Sequence, residues 1–394
     1  MSSADASSWP PIAHEMLVWE PSAAVPGDPR RRPYEAAVPP FIARLTPAPS
    51  PETLAIAQRA TLELSRFDAE SGARVASFSP VFLRSEAASS SQIENLTASA
   101  RAIFSAELGA RGSRNAEQIA ANTRALGAAL GLADGLSAEA LREMHRVLME
   151  SQPRHTPGEW RDEAVWIGTR SDSPVGAEYV APHHSRIPSL IDDVVGFAAR
   201  TDVPELVSVA IAHAQFETIH PFTDGNGRTG RAFAQAVLAH RGVTRNVAVP
   251  VSAGLLADVE GYHRALTAYR QGDVDPIILS FAHAALRAVE NARTLVTEVD
   301  EIRASWETRL TARRSSNAWL LLDVLTRRPV LDAATAAAEL GVQRPNVYPP
   351  LRSLVDAGIL LSKSEHRLGP FWRSDEVLGA IDRFAARAGR REAR

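Results

Sequence analysis

The twelve residues His220 to Arg231, HPFTDGNGRTGR, bring together an imidazole, a carboxylate, three glycines and two guanidiniums. His220 titrates near neutrality, which suits it to act as a general base. Asp224 is an oxygen ligand of the kind that holds Mg²⁺ beside phosphates. Gly225 and Gly227 bracket Asn226, so the backbone can turn tightly with its N–H groups pointing one way. Such a nest at the start of a helix binds anions. Arg228 and Arg231, three apart, share one face of that helix. Base, metal ligand, anion hole and cationic clamps together make a phosphoryl- or nucleotidyl-transfer site. No Gly-Lys-Ser/Thr follows the glycines, so the stretch is not a P-loop.

The elements that must position these residues are mostly helical. Apolar spacing predicts helices over Leu206–Ile219, which delivers His220, and over Thr229–His240, which carries Arg231. Further helices are expected over Glu52–Ala69, Asn115–Leu132, Ala138–Met149 and Ile187–Arg200. One over Val81–Leu108 should bend near Ser89–Ser91, and a long charge-laced one should run over His283–Thr311. His145 and His213 fall on helices and read as structural. Val165-Trp166-Ile167-Gly168 and Glu178–Pro182 are short β-branched and aromatic runs about a Ser/Asp/Pro/Gly loop, the pattern of a β-hairpin.

The twelve-residue stretch resembles the Fic family motif, His-x-Phe-x-(Asp/Glu)-Gly-Asn-Gly-Arg-x-x-Arg, with every defining position present. The resemblance implies a protein adenylyltransferase, moving AMP from ATP to a Ser, Thr or Tyr hydroxyl of a target protein. In that scheme His220 is the base, and Asp224 holds Mg²⁺. Gly225, Asn226, Gly227, Arg228, Thr229, Gly230 and Arg231 hold the phosphates, with Asn226 on an α-phosphate oxygen and Phe222 anchoring the loop. The hairpin at Val165, Trp166, Ile167 and Gly168 resembles the family's flap, which docks the target. Ser90 to Asn95 (SSQIEN) resembles the inhibitory Ser/Thr-x-x-x-Glu-(Gly/Asn) motif. Ser90, Glu94 and Asn95 would then restrain the enzyme, with Glu94 pairing with Arg231. Near the nucleotide base the family often has two tyrosines and an asparagine. Here Tyr262, His263 and Arg270 stand in those places, and Tyr262 is either an adenine platform or a core aromatic.

At 394 residues with a net charge of -3, the chain is sized for two or three domains and has no global pull toward nucleic acid or membrane. From Thr311 onward, fourteen Lys/Arg face nine Asp/Glu. There is no cysteine, which excludes disulfides and thiolate chemistry and suits a reducing cytosol. No leader or membrane-spanning run is evident, so the expectation is a cytoplasmic protein without a membrane partner.

The C-terminal pattern of helix, turn, helix and two strands resembles a winged helix-turn-helix, for DNA or for protein contacts. Arg344, Arg352, Lys363, Arg367 and Arg373 could meet phosphates, and Pro349-Pro350 should delay the second helix until Pro350. The expected fold is mainly α, a Fic helical core with a β-hairpin flap plus a small α+β winged-helix domain. Its segments are a flexible lead-in (1–32), an N-terminal helical segment (33–112), the catalytic core (113–293), a connector helix (294–312) and the winged helix (313–394). The resemblance also admits a homodimer. Two other functions fit: removal of AMP from a modified protein, with Glu94 positioning water, and a nucleotide-sensing DNA-binding regulator.

Overall fold

Helical periodicity dominates the sequence and gives a mainly helical fold. The computed structural model describes residues 9–19, 32–70, 72–168, 172–365 and 368–389. In chain order the elements begin with strands β1 (Ala13–Trp19) and β2 (Arg32–Val38). Helices α1 (Pro51–Glu70), α2 (Gly72–Ile93), α3 (Ala100–Glu107), α4 (Arg114–Gly131) and α5 (Ala138–Met149) follow. Strands β3 (Trp166–Ile167) and β4 (Tyr179–Val180) precede α6 (Ile187–Ala198), α7 (Glu205–Ile219) and α8 (Asn226–His240). Next come α9 (Val251–Leu256), α10 (Val259–Arg270) and α11 (Asp275–Arg309). The remainder is α12 (Ala318–Arg327), β5 (Val330–Leu331), α13 (Ala333–Leu340), α14 (Tyr348–Asp356), β6 (Leu361–Glu365), β7 (Gly369–Arg373) and α15 (Asp375–Ala388).

Two compact units divide the chain. The first comprises residues 1–62, 124–243 and 258–283. Its centre is α7, whose residues from Leu206 to Ile219 are all buried, so no polar face remains. Helices α6, α8 and α10 pack around it. Gly230 lets α7 and α8 approach closely: a Cβ there would sit 2.5 Å from Glu217 Oε1 and 2.9 Å from Phe216 Cδ1. The antiparallel β1–β2 ribbon runs in register from Ala13↔Val38 to Trp19↔Arg32, and β2 also contacts β4. Strand β4 pairs with β3 through Trp166↔Val180 and Ile167↔Tyr179, the expected hairpin.

The second unit comprises residues 63–123, 244–257 and 284–394. Here α2 packs against α9, α12 and α15, and α3 against α15 and β5. The backbone N–H of Ala100, at the start of α3, donates to Asp382 Oδ1 of α15 at 3.0 Å. Glu86 of α2 accepts the Ser252 N–H of α9 at 2.9 Å, and Asp68 accepts from the N–H groups of Arg245, Asn246 and Val247. The three-stranded sheet has the order β5-β7-β6, all antiparallel.

Several boundaries differ from the sequence reading, for physical reasons. Residues 9–19, expected in a flexible lead-in, are anchored. Trp9 packs edge-on to Phe197 and tilted against Tyr269, and Ile12 N–H donates to the Arg270 carbonyl at 2.9 Å. The expected bend at Ser89–Ser91 lies later. Ser91 hydroxyl donates to Ala87 O at 2.8 Å and stays helical, and α2 ends where Asn95 takes a φ of 62°. The connector 294–312 is the latter part of α11, whose buried Leu295, Val299 and Trp306 continue the apolar stripe of Ile277, Phe281, Ala288 and Ala292. Helix α8 begins at Asn226, three residues early, because Gly225 caps it with a φ of 74°. Helix α14 begins at Tyr348, its prolines lying in the first turn where their missing N–H has no helical partner to lose. The segment read as 33–112 divides: 33–62 fall in the first unit, and 63–112 share the second with 313–394, where α15 packs on α2 and α3. Arg367 lies outside the described residues, as does part of the hairpin loop, residues 169–171.

Candidate active site

The candidate site lies in the first unit, where α7 ends and α8 begins. His220 is the C-cap of α7 and adopts a left-handed conformation (φ 49°, ψ 61°), unusual for a residue with a Cβ. That turn directs the chain out of the buried helix. The His220 side chain keeps 23% exposure, so it is reachable. Its Nδ1 lies 3.4 Å from the Glu217 carbonyl and 4.0 Å from the Glu217 carboxylate. An Nδ1–H facing these oxygens leaves Nε2 as the basic nitrogen.

Gly225 is required at the next turn on two counts. Its φ is positive, and a Cβ would press to 3.1 Å from Met149 Sδ and 3.3 Å from Leu148 Cδ2. Its N–H donates to Asp224 Oδ1 at 2.7 Å. The first helical bond of α8 is Thr229 N–H to Gly225 O at 3.0 Å, so the N–H groups of the turn before it point toward the helix entrance. Arg228 and Arg231 are 4% and 3% exposed, held within the fold and pre-oriented. The Asp224 carboxylate is 43% exposed, with Arg228 at 3.9 Å and His155 at 3.7 Å. Arg154 Nε donates to His155 Nε2 at 2.9 Å, which makes that His155 nitrogen an acceptor and the contact with Asp224 a polar one.

Four of the expected residues make contacts within the fold. The Asn226 side chain closes the loop on itself: Oδ1 accepts Phe222 N–H at 2.9 Å and Nδ2 donates to Phe222 O at 2.8 Å. At 2% exposure Asn226 braces the cradle through these two bonds. Tyr262 is a core residue, 2% exposed, with its hydroxyl 2.7 Å from His213 Nε2; it forms no adenine platform here. Thr229 and Gly230 are buried in the α7–α8 contact. His263 is exposed, and its imidazole is held below the usual value by partial burial and by the Arg231 and Arg270 charges. Arg270, in the place of the family's asparagine, lies over the Tyr179 ring at 3.8 Å.

Two buried side chains that hold the site's backbone escaped the sequence reading of the site. His145, fully buried on α5, stacks on Phe222 at 3.7 Å between ring centroids. Its Nδ1 accepts the Gly158 N–H at 3.0 Å, so Nε2 carries the proton and donates to the Asp224 carbonyl at 3.1 Å. It thereby holds the loop that bears the carboxylate. Arg161, 3% exposed, donates to the carbonyl of His220 itself. The signal for His145 was its place on the apolar face of α5, among Leu141, Met144 and Leu148. Ser90 and Ser91 are buried on α2, and Glu94 and Asn95 form the turn that ends it. In the hairpin Ile167 is 46% exposed, and Trp166 packs edge-on to Trp19.

Burial holds two of these imidazoles neutral, His145 down to about 4 and His213 down to about 3. In the unfolded chain both bind protons near 6.5. The stability tied to their neutrality is therefore fully present above about pH 6.5. It is lost as the pH falls from there through the folded values near 4 and 3. Melting followed by circular dichroism between pH 7 and 4 should show this fall. His145→Gln, which cannot titrate, should flatten its upper part; an unchanged slope would contradict the assignment.

Comparison with known proteins agrees with this geometry. A sequence model of the Fic/DOC family matches residues 135–238. Protein adenylyltransferase fic-1 of Caenorhabditis elegans is 27% identical over 183 residues, covering 46% of this chain and 34% of the relative. Protein adenylyltransferase Fic of Nematostella vectensis is 33% identical over 81 residues, 21% of this chain and 18% of the relative. The chain thus spans about a third or less of the curated relatives it matches. The crystal structure of a Fic family protein from Desulfovibrio desulfuricans superposes with a TM-score of 0.54 at 22% identity. That match covers 83% of this chain and 97% of the other, and it establishes likeness of fold.

Proposed function

We propose, from the premise that this chain carries a Fic/DOC domain over residues 135–238, that it is a protein adenylyltransferase. The observation that carries the reading is the pairing of two helix ends: His220 at the C-terminus of α7 and the left-handed Gly225 turn that opens α8 at its N-terminus. A target hydroxyl oxygen attacks the α-phosphorus of ATP, and its proton passes to His220 Nε2. The bond from the α-phosphorus to the bridging oxygen breaks, diphosphate leaves, and AMP stays on the target. The N–H groups at the start of α8 face the charge that develops on the phosphate oxygens. Arg228 and Arg231 hold the β- and γ-phosphates, and their burial means little side-chain freedom is lost on binding.

Asp224 fits a role toward Mg²⁺. Among the described residues no cluster of three His, Asp or Glu side chains gathers for a metal. One half-exposed carboxylate beside a phosphate cradle is what Mg²⁺ uses when substrate phosphates and water complete its shell. The ion would neutralise phosphate charge. Transfer of label from α-labelled ATP to protein tests the whole reading.

The target segment would add to the hairpin at Val165 to Gly168, where β3 has β4 as its strand partner among the described residues. Glu94 restrains the activity, a reading supported by the sequence pattern Ser90 to Asn95. Among the described residues no helix is long and apolar enough to cross a membrane. Solution in the cytoplasm and a homodimeric state complete the proposal.

A second reading, DNA binding through the C-terminal elements, is favoured by the excess of fourteen Lys/Arg over nine Asp/Glu from Thr311 onward. Arg344 and Arg352 are exposed nearby in sequence, on the α13–α14 segment. Because residues 284–394 share one unit with 63–123, point substitution is the cleaner test than truncation. Duplex binding should weaken steeply with salt. Each of Arg344→Ala, Arg352→Ala and Lys363→Ala should lower the salt slope by about 1. A salt-independent shift, or slopes unchanged in all three variants, would leave these elements a protein-contact surface.

A further inference from the structure

We infer that Arg161 is a positioning residue for the proposed reaction, one guanidinium that fixes His220 and the target-docking hairpin in a single register. The inference rests on the adenylyl-transfer reading, and it begins from strain. The left-handed backbone at His220, with a φ of 49°, is disfavoured for a residue with a Cβ, so neighbours must over-determine it. Arg161 supplies that constraint. Its Nε donates to the His220 carbonyl at 2.8 Å, and its Nη2 reaches the Ile219 carbonyl at 3.4 Å. These are the carbonyls that the end of a helix leaves without intrahelical donors. Its own backbone N–H donates to the Pro221 carbonyl at 3.0 Å, so three successive peptide groups are held from one residue.

The other side of the guanidinium faces the hairpin. Nη1 donates to the Glu163 carbonyl at 2.8 Å, ahead of β3, and Nη2 to the Pro182 carbonyl at 2.7 Å, just after β4. All four side-chain bonds go to carbonyl oxygens, and the side chain is buried. Burial lowers its pKa to about 10, so the group stays charged at neutral pH. A planar fork of five N–H donors can span acceptors on two elements; an ammonium cannot reproduce that geometry. The hairpin, where a target strand would lie, and the base that would take its proton are thus tied through a few hydrogen bonds. A shift of either end by an ångström would misalign hydroxyl and imidazole, which alone can lower a rate about 10²-fold.

The test compares wild type, Arg161→Lys and Arg161→Gln in the full chain, with the Lys variant carrying the argument should the Gln variant fail to fold. Histidine-labelled protein gives the His220 ring signals by NMR, assigned through His220→Ala, and calorimetry gives the affinity for ATP. The expected result for Arg161→Lys is a folded chain with ATP affinity within about twofold of wild type. Its His220 signals are displaced, its His220 titration is altered, and its kcat for adenylyl transfer is lower by about 10- to 100-fold. Unchanged His220 signals and unchanged kcat in folded Arg161→Lys would overturn the inference. So would a loss of kcat with His220 signals unmoved, which would make Arg161 general scaffold. Should the wild type transfer no AMP, the functional reading falls by itself, and the NMR comparison still decides whether Arg161 sets His220.

Discussion

His220→Ala is expected to lower adenylyl transfer by about 10²- to 10⁴-fold, the usual loss on removing a general base. ATP affinity should stay close to that of wild type. The separation follows from where the groups sit. The imidazole belongs to the end of α7, whereas the nucleotide's phosphates would meet the first turn of α8, Arg228, Arg231 and Asp224. The fold should tolerate the change, because the His220 side chain is partly exposed and the backbone of the turn is held by Arg161. Some destabilisation is expected, since alanine is no better suited than histidine to a φ of 49°. Activity should be read as single-turnover transfer and affinity by calorimetry. Wild-type rates in folded His220→Ala would remove the base from the mechanism.

The second large effect runs the other way. Glu94→Gly is expected to raise transfer, by about 10²-fold where restraint acts through misplacement of the α-phosphate. The argument comes from the Ser90–Asn95 pattern and from charge. A carboxylate competing for a clamp arginine also places negative charge where the γ-phosphate should lie. Glu94 sits at the turn ending α2, where Asn95 already adopts positive φ, so glycine at the neighbouring position should disturb α2 little. Glu94→Gly combined with Arg231→Ala should stay inactive, because the clamp itself is then missing. Equal labelling of wild type and Glu94→Gly would make Ser90–Asn95 an ordinary helix end.

Much of the site was legible in the sequence because its chemistry is local. From Gly225 to Arg231 the backbone conformations follow from residue types: glycine at the left-handed turn, helix after it, arginines three apart. Asn226 adds what residue type alone did not show: its amide grips both backbone groups of Phe222, four residues back in its own loop. Tyr262 has the same lesson: an aromatic near a nucleotide motif also makes a good partner for a buried histidine, and His213 claims it. The braces were illegible because their partners are distant in sequence. His145 reaches the Asp224 carbonyl 79 residues away, and Arg161 reaches His220 across 59.

The fold divides similarly. Helices α1, α4 and α5, with their apolar periodicity, and α7, apolar on every side, lie within a residue or so of their expected bounds. The interleaving of the units was hidden, because α15 meets α2 and α3 across nearly three hundred residues with no local signal. The β1 strand was hidden too: its burial alternates only between exposed and half-exposed positions, so its pattern was too faint to read as a strand.

The most direct test of the central claim uses the Glu94→Gly chain with Mg²⁺ and ATP labelled in turn at the α- and γ-phosphate, followed by denaturing electrophoresis. The account predicts protein-bound label from α-labelled ATP, none from γ-labelled ATP, and loss of the signal when His220→Ala is added. Label arriving from the γ-phosphate, or α-label persisting without His220, would contradict it.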